Sequence, residues 1–284
     1  MSLALRIIPR LDIKGPNLVK GMHLEGLRVL GKPEHFARHY YEQGADELIY
    51  QDVVASLYGR NSLHEIISRT AKEIFIPLTV GGGIRTLDDI AVTLHSGADK
   101  VSINTAAHEN PSLITKASRM YGKSTIVVAI EAIHQPDGSC QAFTDNGRNR
   151  TEKDVVSWAT EVERLGAGEI ILTSVDREGS GKGLDIALIR KVQDSISIPL
   201  VVHGGVGKSK DVVDLLIQHP VSGIAIASMF HYHYISKHRK LDGFEDGGNI
   251  DFLKSHRGYS GIDPIPLPEL KKTLKMNEVI CRMD

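Results

Sequence analysis

Three observations predict a (β/α)8 barrel. Eight short apolar runs are separated by helical patterns, the chain of 284 residues has room for eight such units, and four sequence elements recur at a shift of 122 or 123 positions. Strand alternating with helix implies parallel strands joined by crossover helices. An open doubly wound sheet would also satisfy the alternation; the repeat favours a closed barrel of two half-barrels, each of four βα units. The barrel is expected to occupy the whole of residues 1–284.

The first run, Arg6 to Lys14, is apolar and β-branched and reads as a buried strand. Arg6 interrupts the apolar N-terminus and no small-residue cleavage site follows, so this is read as a strand and not a signal peptide. Strands are expected near 5–12, 47–53, 75–80, 99–103, 125–131, 169–175, 198–203 and 223–228. Helices are expected near 33–43, 62–73, 86–96, 110–121, 152–165, 185–195 and 208–218.

The repeat pairs Gly44-Ala45-Asp46-Glu47 with Gly166-Ala167-Gly168-Glu169. It pairs Gly81-Gly82-Gly83 with Gly204-Gly205, each behind a strand that opens Ile-Pro. It pairs Val101-Ser102-Ile103-Asn104 with Ile224-Ala225-Ile226-Ala227. Two acids follow the same logic. Asp12 ends the first strand and Glu131 the fifth, 119 positions on. Those strands face each other in an eight-stranded barrel, whose active site lies at the C-terminal strand ends. Each acid alone would pass as a cap or an ion-pair partner; two at symmetric positions suggest an acid–base pair.

The glycine loops suggest anion binding, because glycine lets backbone N–H groups approach a phosphate closely. Gly82 and Gly83 with Asn104 and Thr105 would form one site, at a helix N-terminus. Gly204 and Gly205 with Ala227 and Ser228 would form the second, in the loops that this fold uses most often for phosphate. One Gly-rich loop is equally a tight turn; the symmetric pair suggests an elongated substrate with a phosphate at each end.

Composition excludes some classes. With 41% hydrophobic and 24% charged residues and a net charge of −1, nothing calls for nucleic acid or an anionic membrane as partner. No apolar run reaches the length of a membrane span. Cys140 and Cys281 are the only cysteines, with no CxxC, so a reducing cytoplasm is the expected setting. His231, His233 and His238 lack a third ligand at a fixed spacing, and no metal or cofactor is expected. Trp158 reads as packing.

These residues resemble a known family. Arg6-Ile7-Ile8-Pro9, Leu11-Asp12, Lys20-Gly21, Gly44 to Leu48, Phe75 to Arg85, Gly97 to Ala107 and Gly166 to Ile170 are similar to the cyclase subunit of imidazole glycerol phosphate synthase, over about 230 residues. The resemblance implies a two-phosphate barrel that receives ammonia from a glutaminase subunit docked at its N-terminal face. It implies cyclase (lyase) chemistry on an aminoimidazole ribonucleotide, giving imidazole glycerol phosphate and an aminoimidazole carboxamide ribonucleotide. Asp12 matches the first of two catalytic aspartates, and Arg6, Glu47, Lys100 and Glu169 match a ring of charges that gates ammonia. Lys20, Asp52, Thr173 and Asp176 are expected to meet substrate, and Gly15–Gly31 to form a flexible loop.

Several positions depart from that family. Glu131 stands for the second aspartate, Arg10 for a cysteine, Glu178 for an aspartate and His203 for a serine. About 30 residues near 233–264 intervene before the last helix, which resumes at Pro268. The stretch Asp52 to Asn61, with Ile130-Glu131-Ala132, looks like a paralogous branch linked to bacterial surface-polysaccharide genes. There the barrel would pass ammonia to a sugar amidotransferase that makes an acetamidino sugar. A phosphosugar isomerase on the same scaffold is a third, weaker possibility.

Overall fold

The computed structural model describes residues 4–55, 63–238 and 261–283. Eight parallel strands close into a barrel: β1 (Arg6–Lys14), β4 (Leu48–Asp52), β5 (Leu78–Gly81), β6 (Lys100–Ile103), β7 (Ile126–His134), β10 (Glu169–Ser174), β11 (Leu200–His203) and β12 (Gly223–Ile226). Each pairs with the next, β10 pairs with β7, and β12 returns to β1. This is the expected (β/α)8 barrel.

Two β-hairpins stand where none was expected. The first is β2 (Asn17–Met22) with β3 (Glu25–Gly31), continuing antiparallel from β1. It corrects the flexible loop expected over Gly15–Gly31. Its two-residue turn, His23-Leu24, has φ of +52° and +62°, the primed geometry that suits a short hairpin. The second is β8 (Cys140–Thr144) with β9 (Asn149–Asp154), continuing from β7. The half-barrel repeat therefore includes a hairpin after strand one of each half.

The helices follow from local signals. In α1 (Pro33–Glu42) proline occupies the first turn, where its missing N–H is not needed. After α2 (His64–Thr70), α3 (Leu87–His95) begins with a capping box between Thr86 and Asp89. The helix expected over 110–121 is α5 (Ser112–Tyr121), which starts after Pro111; a short helix that was not expected, α4 (Thr105–Glu109), precedes it. The helix expected from 152 begins later, as α6 (Val155–Leu165), capped by Asp154 at the end of β9. Then come α7 (Ile186–Gln193), α8 (Ser209–Gln218), α9 (Ser228–Lys237) and α10 (Leu267–Met276). The strand expected from 75 begins at Leu78, and Phe75 is exposed.

Most of the core lies between barrel and helices, with Trp158, Tyr40, Tyr50 and Phe36 among its largest side chains. A separate apolar layer fills the barrel: Ile8, Ile49, Val127, Ile171, Val201 and Ala225. The helix α9 runs through the start of the expected insertion, to Lys237; residues 239–260 of that insertion, and 56–61 of the stretch Asp52 to Asn61, lie outside the described residues. Among the described residues no helix is long and apolar enough to cross a membrane.

Candidate active site

Alternate residues of a strand face the same way, so Arg6, Ile8, Arg10 and Asp12 climb one inner wall of the barrel. At the floor four charges form a closed ring. Arg6 pairs with Glu47 at 2.8 Å and with Glu169; Lys100 pairs with Glu47 at 3.0 Å and with Glu169 at 2.8 Å. Thr79 donates to Glu47 at 2.6 Å. Burial raises the Glu169 carboxyl, but Arg6 and Lys100 outweigh it and hold Glu169 below the usual range. The four residues come from the starts of four different strands, and the repeat pairs two of them, Glu47 with Glu169.

At the mouth Asp12 and Glu131 are both buried, in different surroundings. Arg10 Nε donates to Asp12 Oδ1 at 2.9 Å, and its NH1 donates to Thr173 at 3.1 Å. Burial would push Asp12 up, but Arg10, Lys20 and His203 prevail and keep it below the ordinary carboxylate value. Among the described residues Glu131 has one close donor, the Gly147 N–H at 2.8 Å. Burial dominates there and lifts its carboxyl to about 7. One acid is held ionised and the other titrates near neutrality.

The first glycine loop opens into a cavity of about 170 Å³, lined by Gly82, Gly83, Asn104, Thr105, Asp52, Ser102 and Glu131, among others. Gly82 lies at φ +100°, and a Cβ there would sit 2.3 Å from the Asp52 carbonyl oxygen. Only glycine fits that turn. The second loop is the same turn: Gly204 is at φ +99°, with a Cβ 2.5 Å from the Ser174 carbonyl oxygen. The residues ahead of α4 and α9 also match, with Asn104 at φ −122°, ψ −84° and Ala227 at φ −116°, ψ −78°. The second cavity, lined by Gly204, Gly205, Ala227, Ser228, His203 and Glu178, is closed down to about 10 Å³. Behind it, the Asp263 N–H donates to the Gly207 carbonyl at 2.7 Å, so the end of the expected insertion seats on this loop.

The other expected contacts divide. Asp52 lines the first cavity and accepts from the Val54 N–H at 3.0 Å. Lys20 is buried in an ion pair with Glu178. Thr173 is held by Arg10. Asp176 accepts from the His134 N–H at 2.8 Å and lines neither cavity.

Sequence reasoning missed the β8–β9 turn, whose Gly147 holds Glu131 and whose Asn146 donates to the Leu24 carbonyl at 2.9 Å. Asp145-Asn146-Gly147 is turn chemistry and was a readable signal. It missed Arg10 as a site residue, and the buried His203, which burial pulls down to about 4 so that its ring is neutral.

Comparisons with known proteins agree with this geometry. The family described as "Histidine biosynthesis protein" matches residues 6–236. A Legionella pneumophila protein named "Imidazole glycerol phosphate synthase subunit HisF" is 56% identical over 206 residues, 72% of this chain and 97% of that protein. Proteins of the same name from Geobacillus thermodenitrificans and Methanopyrus kandleri are 46% identical over 228 residues and 43% identical over 250. These cover 80% and 82% of this chain, and 90% and 92% of the relatives. With its charge-ringed floor, its two matched glycine loops and its pair of buried acids, the chain belongs to the histidine biosynthesis family, among the HisF subunits of imidazole glycerol phosphate synthase.

Proposed function

We propose that this chain is the ammonia-dependent cyclase, a lyase, that closes the imidazole ring of imidazole glycerol phosphate from an aminoimidazole ribonucleotide with a phosphate at each end. The observation that carries this is the first cavity, where Glu131 and a phosphate-type glycine loop share one wall. Asp12 and Glu131 serve as the acid–base pair between two phosphate sites, with Lys20, Asp52, Thr173 and Asp176 supporting the substrate. A glutaminase subunit docks on the N-terminal face and feeds ammonia through the ring of Arg6, Glu47, Lys100 and Glu169. The apolar layer above that ring suits neutral ammonia and disfavours ammonium, whose charge would be costly to desolvate there.

A second reading is favoured by the stretch Asp52 to Asn61 and by Ile130-Glu131-Ala132. The barrel would then pass ammonia to a sugar amidotransferase of surface-polysaccharide synthesis. Glutamate keeps the charge of aspartate on an arm about 1.5 Å longer, and a displacement on the order of 1 Å can cost about a hundredfold in rate.

Two experiments separate these. Purified chain supplied with ammonium salts should turn over the aminoimidazole ribonucleotide. A crystal soaked in phosphate should hold two anions, one in each glycine loop. Absence of turnover, together with co-purification of a sugar amidotransferase, would establish the second reading instead.

A further inference from the structure

One strand end sets the two glycine loops apart. β5 and β11 are equivalent four-residue strands, so Gly81 and His203 hold the same place, one step before the matched Gly82 and Gly204. In the first half only glycine fits there, since a Cβ on Gly81 would strike the Gln51 side chain. In the second half a buried imidazole fills the place and lines the cavity under the loop. His203 Nδ1 lies 2.9 Å from the Ala225 carbonyl oxygen, which can only accept, so Nδ1 carries a proton. The other nitrogen, Nε2, has no hydrogen-bond partner among the described residues. The Glu178 carboxylate is 4.0 Å away, beyond hydrogen bonding, and already accepts from Lys20 and the Leu24 N–H.

The charged groups around this ring come from several elements. Arg10 and Asp12 stand on β1, Glu178 in the loop after β10 with Lys20 of β2 paired to it, and His231 on α9. Burial and Arg10 oppose a second proton on the free ring, and outweigh Glu178 and Asp12, which favour one. The free ring is therefore neutral, and Nε2 turns a lone pair towards the second cavity. A phosphate dianion brings acceptors alone, and two lone pairs make no hydrogen bond. The cavity, about 10 Å³, has room for about one water-sized group.

We infer that His203 is a specificity-determining residue of the second loop, which takes a phosphate ester together with one proton, held between Nε2 and the one phosphate oxygen that enters the cavity. This rests on the two-phosphate reading above. The remaining oxygens meet the N–H groups of the glycine turn and of the first turn of α9, which need no proton from solution. The first loop has glycine in place of the ring and makes no such demand at its strand end. The proton comes from solvent and returns to it when the ester leaves; no bond between heavy atoms changes. The hydrogen bond is one N–H···O or one O–H···N, and the proton count is the same for both. A phosphate ester loses its second proton near about pH 6, so at pH 8 binding has to draw one from solution. The second loop should thus prefer the protonated ester and lose affinity as pH rises.

The test is calorimetric titration of glycerol phosphate into the full chain at about pH 8, in buffers of different ionisation heat, which counts the protons taken up on binding. The native chain should take up about one proton more than His203→Ser, whose hydroxyl donates as it stands. Glu131 beside the first loop contributes to both alike, so the difference belongs to His203. His203→Gln, whose amide N–H also donates, should match the serine variant and replaces it if that variant fails to fold. In native crystals soaked at one ester concentration, second-loop occupancy should fall between about pH 6.5 and pH 9, following an affinity that drops about tenfold per pH unit above pH 7. Equal proton counts in native chain and variants, or a second-loop anion whose occupancy ignores pH, overturn the inference and leave the two-phosphate reading standing. No anion at the second loop at either pH overturns both.

Discussion

Lys20 and Glu178 meet in a buried ion pair that ties the first hairpin to the loop after β10. Glu178 also accepts from the Leu24 N–H at 3.1 Å, and its own carbonyl accepts from the His23 N–H at 3.0 Å. Two turn residues at positive φ are thus pinned over the mouth. Removing one partner leaves the other as an unpaired buried charge. Lys20→Met should therefore cost about 3–5 kcal/mol of stability in urea unfolding, and speed amide exchange across Asn17–Gly31. The double change Lys20→Met with Glu178→Leu should recover most of that loss. A single variant as stable as the native chain would show that the pair does not hold the hairpin.

Glu131 links stability to pH. An unfolded glutamate titrates near 4.5, whereas Glu131 in the fold titrates at about 7. The folded state binds that proton more tightly, so the stability it contributes is complete below pH 4.5 and is lost as pH rises through 7. Glu131→Gln does not titrate. Relative to it, the native chain should lose about 3 kcal/mol between pH 4 and pH 8. Denaturant midpoints across that range check this; parallel curves for the two proteins would contradict it.

The two glycine turns should fail independently. Gly82→Ala forces a Cβ at φ +100° to within 2.3 Å of a backbone oxygen, and Gly204→Ala does the same at φ +99° and 2.5 Å. Each should cost more than about 1 kcal/mol and weaken anion binding only in its own half. Phosphate-soaked crystals of the two variants should each lose one anion and keep the other. Loss of both anions from one substitution would mean that the sites are not separate.

The floor ring makes a different prediction. Lys100→Met removes both of its ion pairs, to Glu47 and Glu169, and leaves Arg6 as their one cation in the ring. Activity driven by glutamine through a partner glutaminase should fall further than activity driven by added ammonia, since only the former must pass the floor. Measuring both rates on one preparation gives the ratio; an unchanged ratio removes the ring from the ammonia path.

What was legible in the sequence follows from the range of each interaction. Asp12, Glu131 and the glycine loops sit at strand ends that local patterns mark, and the repeat then aligned them in space. The turn of the second hairpin was legible as Asp145-Asn146-Gly147, but its second strand was not, because β9 reads Asn-Arg-Thr-Glu-Lys-Asp and is mostly exposed, with no apolar face to reveal a strand. Arg10 was visible as a charge in an apolar run, standing for a cysteine of the resembled family, but not as a site residue. Its partner Thr173 lies 163 positions away, and no local rule connects them. The start of β5 was misplaced because Phe75-Ile76 looks apolar, though Phe75 faces solvent.

The central claim is that Glu131 performs the proton chemistry of ring closure. It is tested most directly by ammonia-dependent turnover of the aminoimidazole ribonucleotide by the native chain and by Glu131→Gln, near pH 7.5. The account predicts measurable native turnover and a loss of about a hundredfold or more in kcat for the variant, with substrate still bound. Native turnover that Glu131→Gln leaves intact would contradict it.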